Sequence, residues 1–248
     1  MTSETTSAVS STAPSFTEET DPFCLSSASG ARLLADAPWR RFAVIGDSLS
    51  AGTGDPSPGY ATLGWADRVA DVLRRVRPDL AYLNTAEIGA TTAATLATQG
   101  DRMVAYGPDL VHLPCGANDL FQPEPDFADI ERTMRRLFEL AAGTGAQMTV
   151  FTLGRAFVVP KFPDWSDRVR RLNDLTRQLA DEHGAVLIDM WDHPVNSRPT
   201  LVSADRIHFA AVGQAVLAAE VVKALAVLLG DPGRSRSEVR SEARPETA

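Results

Sequence analysis

The sequence is poor in cysteine, in positive charge and in long apolar segments. Its 248 residues include two cysteines, Cys24 and Cys115, and neither has a second cysteine nearby. This spacing excludes a cysteine-rich metal module and a disulfide scaffold. A single bridge between the two stays open at this point, although two free thiols in a reducing compartment is the simpler interpretation.

Positive charge is the second deficit. The chain has 24 Lys and Arg against 32 Asp and Glu, a formal net charge of −8 at pH 7. A general nucleic-acid binder is therefore disfavoured, because no basic field exists to neutralise phosphates. The first residues show neither the basic segment nor the apolar core of a secretory signal. No run approaches the length of a membrane span. We expect a cytoplasmic protein that acts on a small molecule, not on nucleic acid or membrane, in an oligomeric state that the sequence does not give.

The rest of the composition is ordinary for a soluble globular protein, at 44% hydrophobic and 23% charged residues. Ser, Thr and Glu dominate residues 1–20, which we predict to be disordered. Residues 21–39 regain large apolar side chains and should pack on the domain. Residues 40–230 form the domain itself, and the charged tail 231–248 should again be disordered.

Within residues 40–230, short apolar runs alternate with segments of helical periodicity. The predicted strands cover residues 42–45, 80–83, 110–113, 147–153 and 185–189, and the predicted helices cover 62–76, 91–106, 127–142, 167–183 and 211–229. Such alternation is typical of a parallel sheet with helices on both faces. With right-handed crossovers, five strands give one three-layer α/β/α sandwich, an α/β fold.

Asp47-Ser48 follows the first predicted strand, directly after Gly46. A buried strand that stops there holds the serine hydroxyl at the rim of the sheet, where ligands of parallel sheets collect. The same residues also suit an ordinary strand-to-loop turn. A serine nucleophile needs a base, usually a histidine held by a carboxylate.

His208 is the only one of the four histidines that has a carboxylate, Asp205, three residues before it in a loop that enters a helix. That spacing allows the carboxylate to orient the imidazole. By itself it also suits a capping aspartate beside a chance histidine. The other histidines have structural interpretations: His112 lies inside a strand, His183 at a helix end, and His193 in the loop after the fifth strand.

Acyl transfer also needs hydrogen-bond donors for the oxygen that becomes negative. Gly89 follows the second predicted strand with a backbone N–H, and Asn118 follows the third with a side-chain amide. Both fall at the same rim as Ser48. Each is a common turn residue by itself, but their joint occurrence at one rim is informative.

The ordered blocks Gly46-Asp47-Ser48, Gly89, Gly116-Ala117-Asn118-Asp119 and Asp205-Arg206-Ile207-His208 resemble those of the SGNH hydrolase superfamily, the GDSL esterases and lipases. The resemblance covers roughly residues 40–230 and implies a flavodoxin-like sandwich with a five-stranded sheet. It also implies that no metal or organic cofactor is required. The chain has no Gly-x-Ser-x-Gly, which disfavours the other common α/β esterase architecture.

The resemblance assigns roles residue by residue. Ser48 would be the nucleophile, His208 the base and Asp205 its orienter. The oxyanion hole would combine the N–H groups of Ser48 and Gly89 with the side chain of Asn118. Asp47 would hold the serine loop without reacting. One departure is Ser50, a second hydroxyl two residues on, and we place the nucleophile at 48 because that is the family position.

The expected reaction is cleavage of a carboxylic ester through an acyl-serine. The apolar loop 157–165, which ends at Trp165, could line an acyl site for a medium or hydrophobic chain together with Phe121. Phe121, Phe157 and Phe162 are the named candidates, although the loop side chains would also serve to pack the loop on the domain. An acyltransferase, a thioesterase and a carbohydrate deacetylase stay open as alternatives, as does a binding module without activity. A nucleotide or flavin protein lacks support, since no Gly-x-Gly-x-x-Gly follows a strand.

Overall fold

The computed structural model describes residues 16–230, and a parallel sheet of five strands lies at their centre. The strands are β1 (Arg41–Val44), β2 (Ala81–Asn84), β3 (Leu110–His112), β4 (Gln147–Phe151) and β5 (Val186–Ile188). Their order is β2-β1-β3-β4-β5, and every neighbouring pair is parallel. The chain adds β2 on one side of β1 and then β3, β4 and β5 on the other, so the strand order reverses between β1 and β3, as in flavodoxin-like sheets.

Helices cover both faces of the sheet, so the predicted α/β/α sandwich is confirmed. On one face α1 (Ser27–Leu33), α3 (Trp65–Val76) and α7 (Ala211–Gly230) pack together. On the other, α5 (Phe127–Gly143) lies between α4 (Thr92–Tyr106) and α6 (Trp165–Glu182). The short α2 (Ser48–Ala51) and the 3₁₀ segments Ala117–Phe121 and Pro194–Ser197 lie in loops.

Helix α5 illustrates why the longer helices form where the sequence predicts them. The carboxylate of Asp126 caps its first turn by accepting the N–H groups of Ala128 and Asp129. Its buried residues recur at helical spacing, which gives one apolar stripe against the sheet. They are Ile130, Thr133, Met134, Leu137, Phe138 and Ala141.

Helix α7 is apolar around most of its circumference. Within its 20 residues, an 18-residue stretch has a mean hydropathy of 1.9, which meets the length and composition of a membrane span. The prediction that no run approaches that length is therefore wrong by this criterion. In the fold, 61% of the apolar window is buried, against α3 and β5 among others. Residues 211–219 are all buried, so the first half of the helix meets protein on each of its faces, which accounts for its apolar composition.

Within residues 16–20, for which the sequence predicts disorder, Glu18 contacts the domain. Glu18 forms two hydrogen bonds with the guanidinium of Arg68, of 3.0 and 2.8 Å. Predictions for residues 1–15 and 231–248 lie outside the described part of the chain. Both cysteines are free thiols, and Cys115 is buried.

Asp21 joins the N-terminal segment to the loop that precedes α7. Its carboxylate is fully buried, and it accepts hydrogen bonds from the Tyr60 hydroxyl at 2.7 Å and from Nη2 of Arg198 at 3.0 Å. Burial alone would raise the pKa of Asp21, but the Arg198, Phe23 and Tyr60 donors outweigh it and hold the pKa below its usual value. The ion pair therefore links two segments that are distant in the chain.

Replacement of Asp21 by alanine should lower the free energy of unfolding by about 3–5 kcal/mol at pH 7, because Arg198 is left without its buried partner. A lowered folded pKa means that this contribution is present above the unfolded pKa and is lost as pH falls through the folded value. Urea unfolding of Asp21→Ala and wild type at pH 7 and pH 3 measures both effects. Asp79→Ala removes an exposed partner of Arg40 and should cost under ~1 kcal/mol. Equal losses in the two variants would show that the buried Asp21–Arg198 pair stabilises the fold no more than an exposed pair does.

Candidate active site

Ser48 is the first residue of α2, directly beyond the end of β1. Gly46 makes the turn with φ +139°, where a Cβ atom would lie 2.4 Å from the Ser50 hydroxyl. Gln99 fixes Gly46 by bonding both its N–H and its carbonyl, each at 2.8 Å. Asp47 then caps α2 by accepting the Leu49 N–H at 3.0 Å. A capped helical turn, and not the expected loop, therefore holds the serine.

His208 and Asp205 lie in a tight turn before α7. Oδ1 of Asp205 accepts the N–H groups of Ile207 and His208 at 2.9 and 3.1 Å. Its other oxygen, Oδ2, lies 2.6 Å from Nδ1 of His208. Nε2 of the same ring lies 2.8 Å from Oγ of Ser48. The structure thus brings these three predicted residues into one continuous chain of hydrogen bonds.

Asp55 ties the histidine turn to the loop that follows α2. Its N–H donates to Oγ of Ser203 at 2.8 Å, and its carboxylate accepts the Ala204 N–H at 2.9 Å. Gly54 allows the close approach, because a Cβ atom there would lie 1.7 Å from the carbonyl oxygen of Phe209. The loop that follows α2 is therefore fastened directly to the turn that carries His208. Sequence reasoning missed Asp55, which has no motif of its own.

When the imidazole is neutral, an ionised Asp205 fixes which ring nitrogen of His208 carries the proton. Burial acts to raise the pKa of Asp205, but the side chain of His208 and the N–H groups of Ile207 and His208 lower it further than burial raises it. The carboxylate thus stays ionised and accepts Nδ1–H. Nε2 of His208 is then the acceptor for the hydroxyl of Ser48.

Asn118 lies in the 3₁₀ segment after β3, beside the turn that contains Gly89. Its side-chain nitrogen donates to the carbonyl of Ala90 at 3.0 Å and lies 3.4 Å from Oδ2 of Asp47. Gly89 is exposed and has φ +80°, a conformation that favours glycine. The Asn118–Ala90 bond therefore places the predicted amide donor next to the predicted glycine turn, at the β1/β3 reversal of the sheet.

A cavity of about 340 Å³, including its opening to solvent, lies beside Ser48. Phe121 and Phe157 line it, as do Val159 and Trp165 of the predicted apolar loop. Four further apolar residues of the lining were not predicted: Leu49, Ala117, Leu153 and Ile207. Phe162 does not line the cavity. Its ring stacks on Trp165 and lies 4.5 Å from the guanidinium carbon of Arg168, so it supports the wall from behind.

The loop between β4 and α6 thus both lines the cavity and packs on the domain, the two roles that the sequence left open. Phe157 and Val159 face the cavity, whereas Phe162 packs inside the domain. Trp165, expected at the end of the loop, begins α6 instead and donates its indole N–H to the Phe157 carbonyl at 3.1 Å. This bond holds the loop against the helix.

The remaining candidates lie away from the reacting groups. Ser50 is fully buried, and its hydroxyl has no hydrogen-bond partner among residues 16–230. His112 is buried in β3 against Trp65, and burial lowers its pKa to about 3. His183 ends α6, and His193 caps the second 3₁₀ segment. None of the three histidines meets a serine hydroxyl.

Comparison with known proteins agrees with this geometry. The model of the GDSL-like lipase/acylhydrolase family matches residues 44–216, more than half of the chain. No curated protein matches the chain.

Several solved structures share the fold. LAE5, an alpha/beta hydrolase enzyme from the metagenome of Lake Arreo, Spain, is 24% identical with a TM-score of 0.60, over 75% of this chain and 94% of that chain. TesA is 23% identical with a TM-score of 0.59, over 75% and 97%. EstA, a psychrotrophic esterase from Pseudoalteromonas sp., is 18% identical with a TM-score of 0.60, over 77% and 100%. The predicted SGNH hydrolase fold is confirmed.

Asp47 generates a testable dependence of stability on pH. Burial raises its pKa to about 6, against the opposing N–H groups of Leu49 and Ser50. The stabilisation is complete below the unfolded pKa near 4 and is lost as pH rises through the folded value. Between pH 4 and pH 7, wild type should lose about 2–3 kcal/mol of unfolding free energy relative to Asp47→Asn.

Urea unfolding of both proteins across that range measures this difference. Asp71→Asn, which alters a half-exposed carboxylate on α3, is the control. A constant difference between wild type and Asp47→Asn would show that Asp47 does not titrate in this window.

Proposed function

The chain belongs to the GDSL-like lipase/acylhydrolase family and is a carboxylic ester hydrolase, and from this premise we propose that it works through a Ser48–His208–Asp205 triad. The observation that carries the proposal is the pair of bonds at His208, 2.8 Å to the Ser48 hydroxyl and 2.6 Å to Asp205. Serine, imidazole and carboxylate in this order are the elements of an activated nucleophile.

In the first step, Oγ of Ser48 attacks the ester carbonyl carbon while Nε2 of His208 takes the hydroxyl proton. Asp205 stabilises the imidazolium that results. The tetrahedral intermediate collapses as His208 gives the proton to the leaving alcohol oxygen. Water then attacks the acyl-serine by the reverse sequence, and the carboxylic acid leaves.

The oxyanion of each intermediate needs donors that are already in place. We assign these to the N–H groups of Ser48 and Gly89 and to the side chain of Asn118. One amide hydrogen of Asn118 is held by the Ala90 carbonyl, and the other has only the long contact of 3.4 Å with Asp47. That second hydrogen is the one available for the oxyanion.

Ser48→Ala should lower kcat on 4-nitrophenyl acetate by about 10⁶-fold, as when one member of a serine triad is removed. Ser50→Ala is the matched control: it removes a hydroxyl two residues away that does not contact His208, and it should keep kcat within a few-fold. Asn118→Ala should cost roughly 10²–10³-fold through loss of one oxyanion donor. Wild-type turnover in Ser48→Ala, or loss in Ser50→Ala alone, would contradict the assignment.

We further propose that the acyl group is short and enters the apolar cavity. A volume of about 340 Å³ is at the small end of ligand pockets. Phe157 contacts Phe209 edge to face with a centroid distance of 4.8 Å, which closes the cavity beside the histidine turn. The walls are therefore fixed by packing within the domain.

Among 4-nitrophenyl esters from acetate to decanoate, kcat/KM should be highest for the shorter acyl groups and fall for the long ones. Phe157→Ala should move the optimum toward longer chains, because it removes one wall. Phe138→Ala empties a buried core position outside the cavity and serves as the control for general loosening. An optimum unchanged by Phe157→Ala would remove Phe157 from the acyl site.

A further inference from the structure

Arg206 has an unusual backbone conformation at a sensitive position. It lies between Asp205 and His208 and has φ +59°, the only non-glycine residue with positive φ among residues 16–230. A Cβ atom disfavours this left-handed region, which glycine adopts freely. Backbone strain held at a functional site is a reason to look for a function.

The turn itself does not require an arginine. Its hydrogen bonds come from the Arg206 N–H to the Ser203 carbonyl, at 2.9 Å, and from the carboxylate of Asp205. A glycine would make the same backbone bond with less strain. The reason for arginine therefore lies in its side chain.

The Arg206 side chain lines the cavity beside Ser48 and is exposed at its mouth. It is the only lysine or arginine among the described cavity-lining residues. None of the ion pairs found within residues 16–230 includes it. Asp205 is already engaged by His208, and Asp47 is buried. The guanidinium is thus a cation at the substrate entrance that has no carboxylate partner within the described residues 16–230.

We propose that Arg206 selects esters whose alcohol portion carries an anionic oxygen group, such as a carboxylate. This inference rests on the proposed function. The side of the ester follows from the chemistry: His208 returns its proton to the leaving alcohol, so the alcohol lies beside the histidine and its neighbour Arg206. The acyl group takes the apolar cavity, where a charge would be poorly solvated. The planar guanidinium suits a two-oxygen anion.

The experiment compares kcat/KM for 4-acetoxy-3-nitrobenzoate, with a carboxylate on its leaving group, and for neutral 4-nitrophenyl acetate. Both transfer the same acetyl group. The ratio of the two values should fall about two- to fivefold in Arg206→Gln, the size of one exposed charge pair. Arg206→Lys should keep part of the ratio. The wild-type ratio should also decline as salt is raised.

Arg102→Gln, which alters an exposed arginine on α4 outside the cavity, controls for overall charge and should leave the ratio unchanged. Mono(4-nitrophenyl) succinate places the carboxylate on the acyl side. A loss in Arg206→Gln confined to that ester would overturn the assignment to the alcohol side. An unchanged ratio, or equal losses on charged and neutral esters, would overturn the proposal itself.

Stability gives an independent readout. Arg206→Gly relieves the left-handed strain, so its urea midpoint should be equal to or above that of wild type. A clear fall would show that arginine supports the fold, and would contradict the proposal. Failure of the proposed function is distinguishable, since it appears as equal turnover of neutral ester by wild type and Ser48→Ala.

Discussion

The hydrogen bond between His208 and Ser48 joins two loops that are 160 residues apart in the chain. A bond of 2.8 Å tolerates little misplacement, so both segments must be held in place. Gln99 and the capped α2 fix the serine, whereas Asp55 and the turn at Asp205 fix the histidine. The parallel sheet makes this possible, because its β1/β3 reversal leaves a crevice into which neighbouring loops converge.

The surroundings of this bond divide by polarity. Apolar side chains form most of the cavity lining, and Ser48, Asn118 and Arg206 add polar groups to it. Asp47 also belongs to the lining, as a buried carboxylate whose pKa is raised to about 6 by burial. Its value to the fold lies in the N–H groups that it caps at α2. The hydrogen bond from the Leu49 N–H, in the turn that presents Ser48, offsets part of the free energy that burial of this carboxylate costs.

The sequence was sufficient for the sheet, the longer helices and the convergence of Ser48, Asp205, His208 and Asn118. The sheet and the helices follow from local periodicity, which is visible one segment at a time. The convergence of the four side chains was expected from the resemblance of the ordered blocks to the SGNH hydrolases, since Asp205 and His208 end no strand. Helix α1 escaped prediction because seven residues carry too little periodicity.

Features that depend on partners far along the chain could not be predicted. The Asp21–Arg198 pair spans 177 residues, and no local sequence pattern around either residue predicts it. The left-handed φ of Arg206 arises from a turn whose bonds come from Ser203 and Asp205. Phe162 is apolar like the residues that line the cavity, yet tertiary packing places it behind Trp165 and outside the lining.

The central claim is that the hydroxyl of residue 48 is the group activated by His208. The most direct measurement is reaction of the protein with an alkyl fluorophosphonate, followed by mass spectrometry of the peptides. The account predicts one adduct per chain, on Ser48, with labelling greatly slowed in His208→Ala. An adduct on Ser50 or elsewhere, or labelling of Ser48 at an unchanged rate without the imidazole, would contradict it.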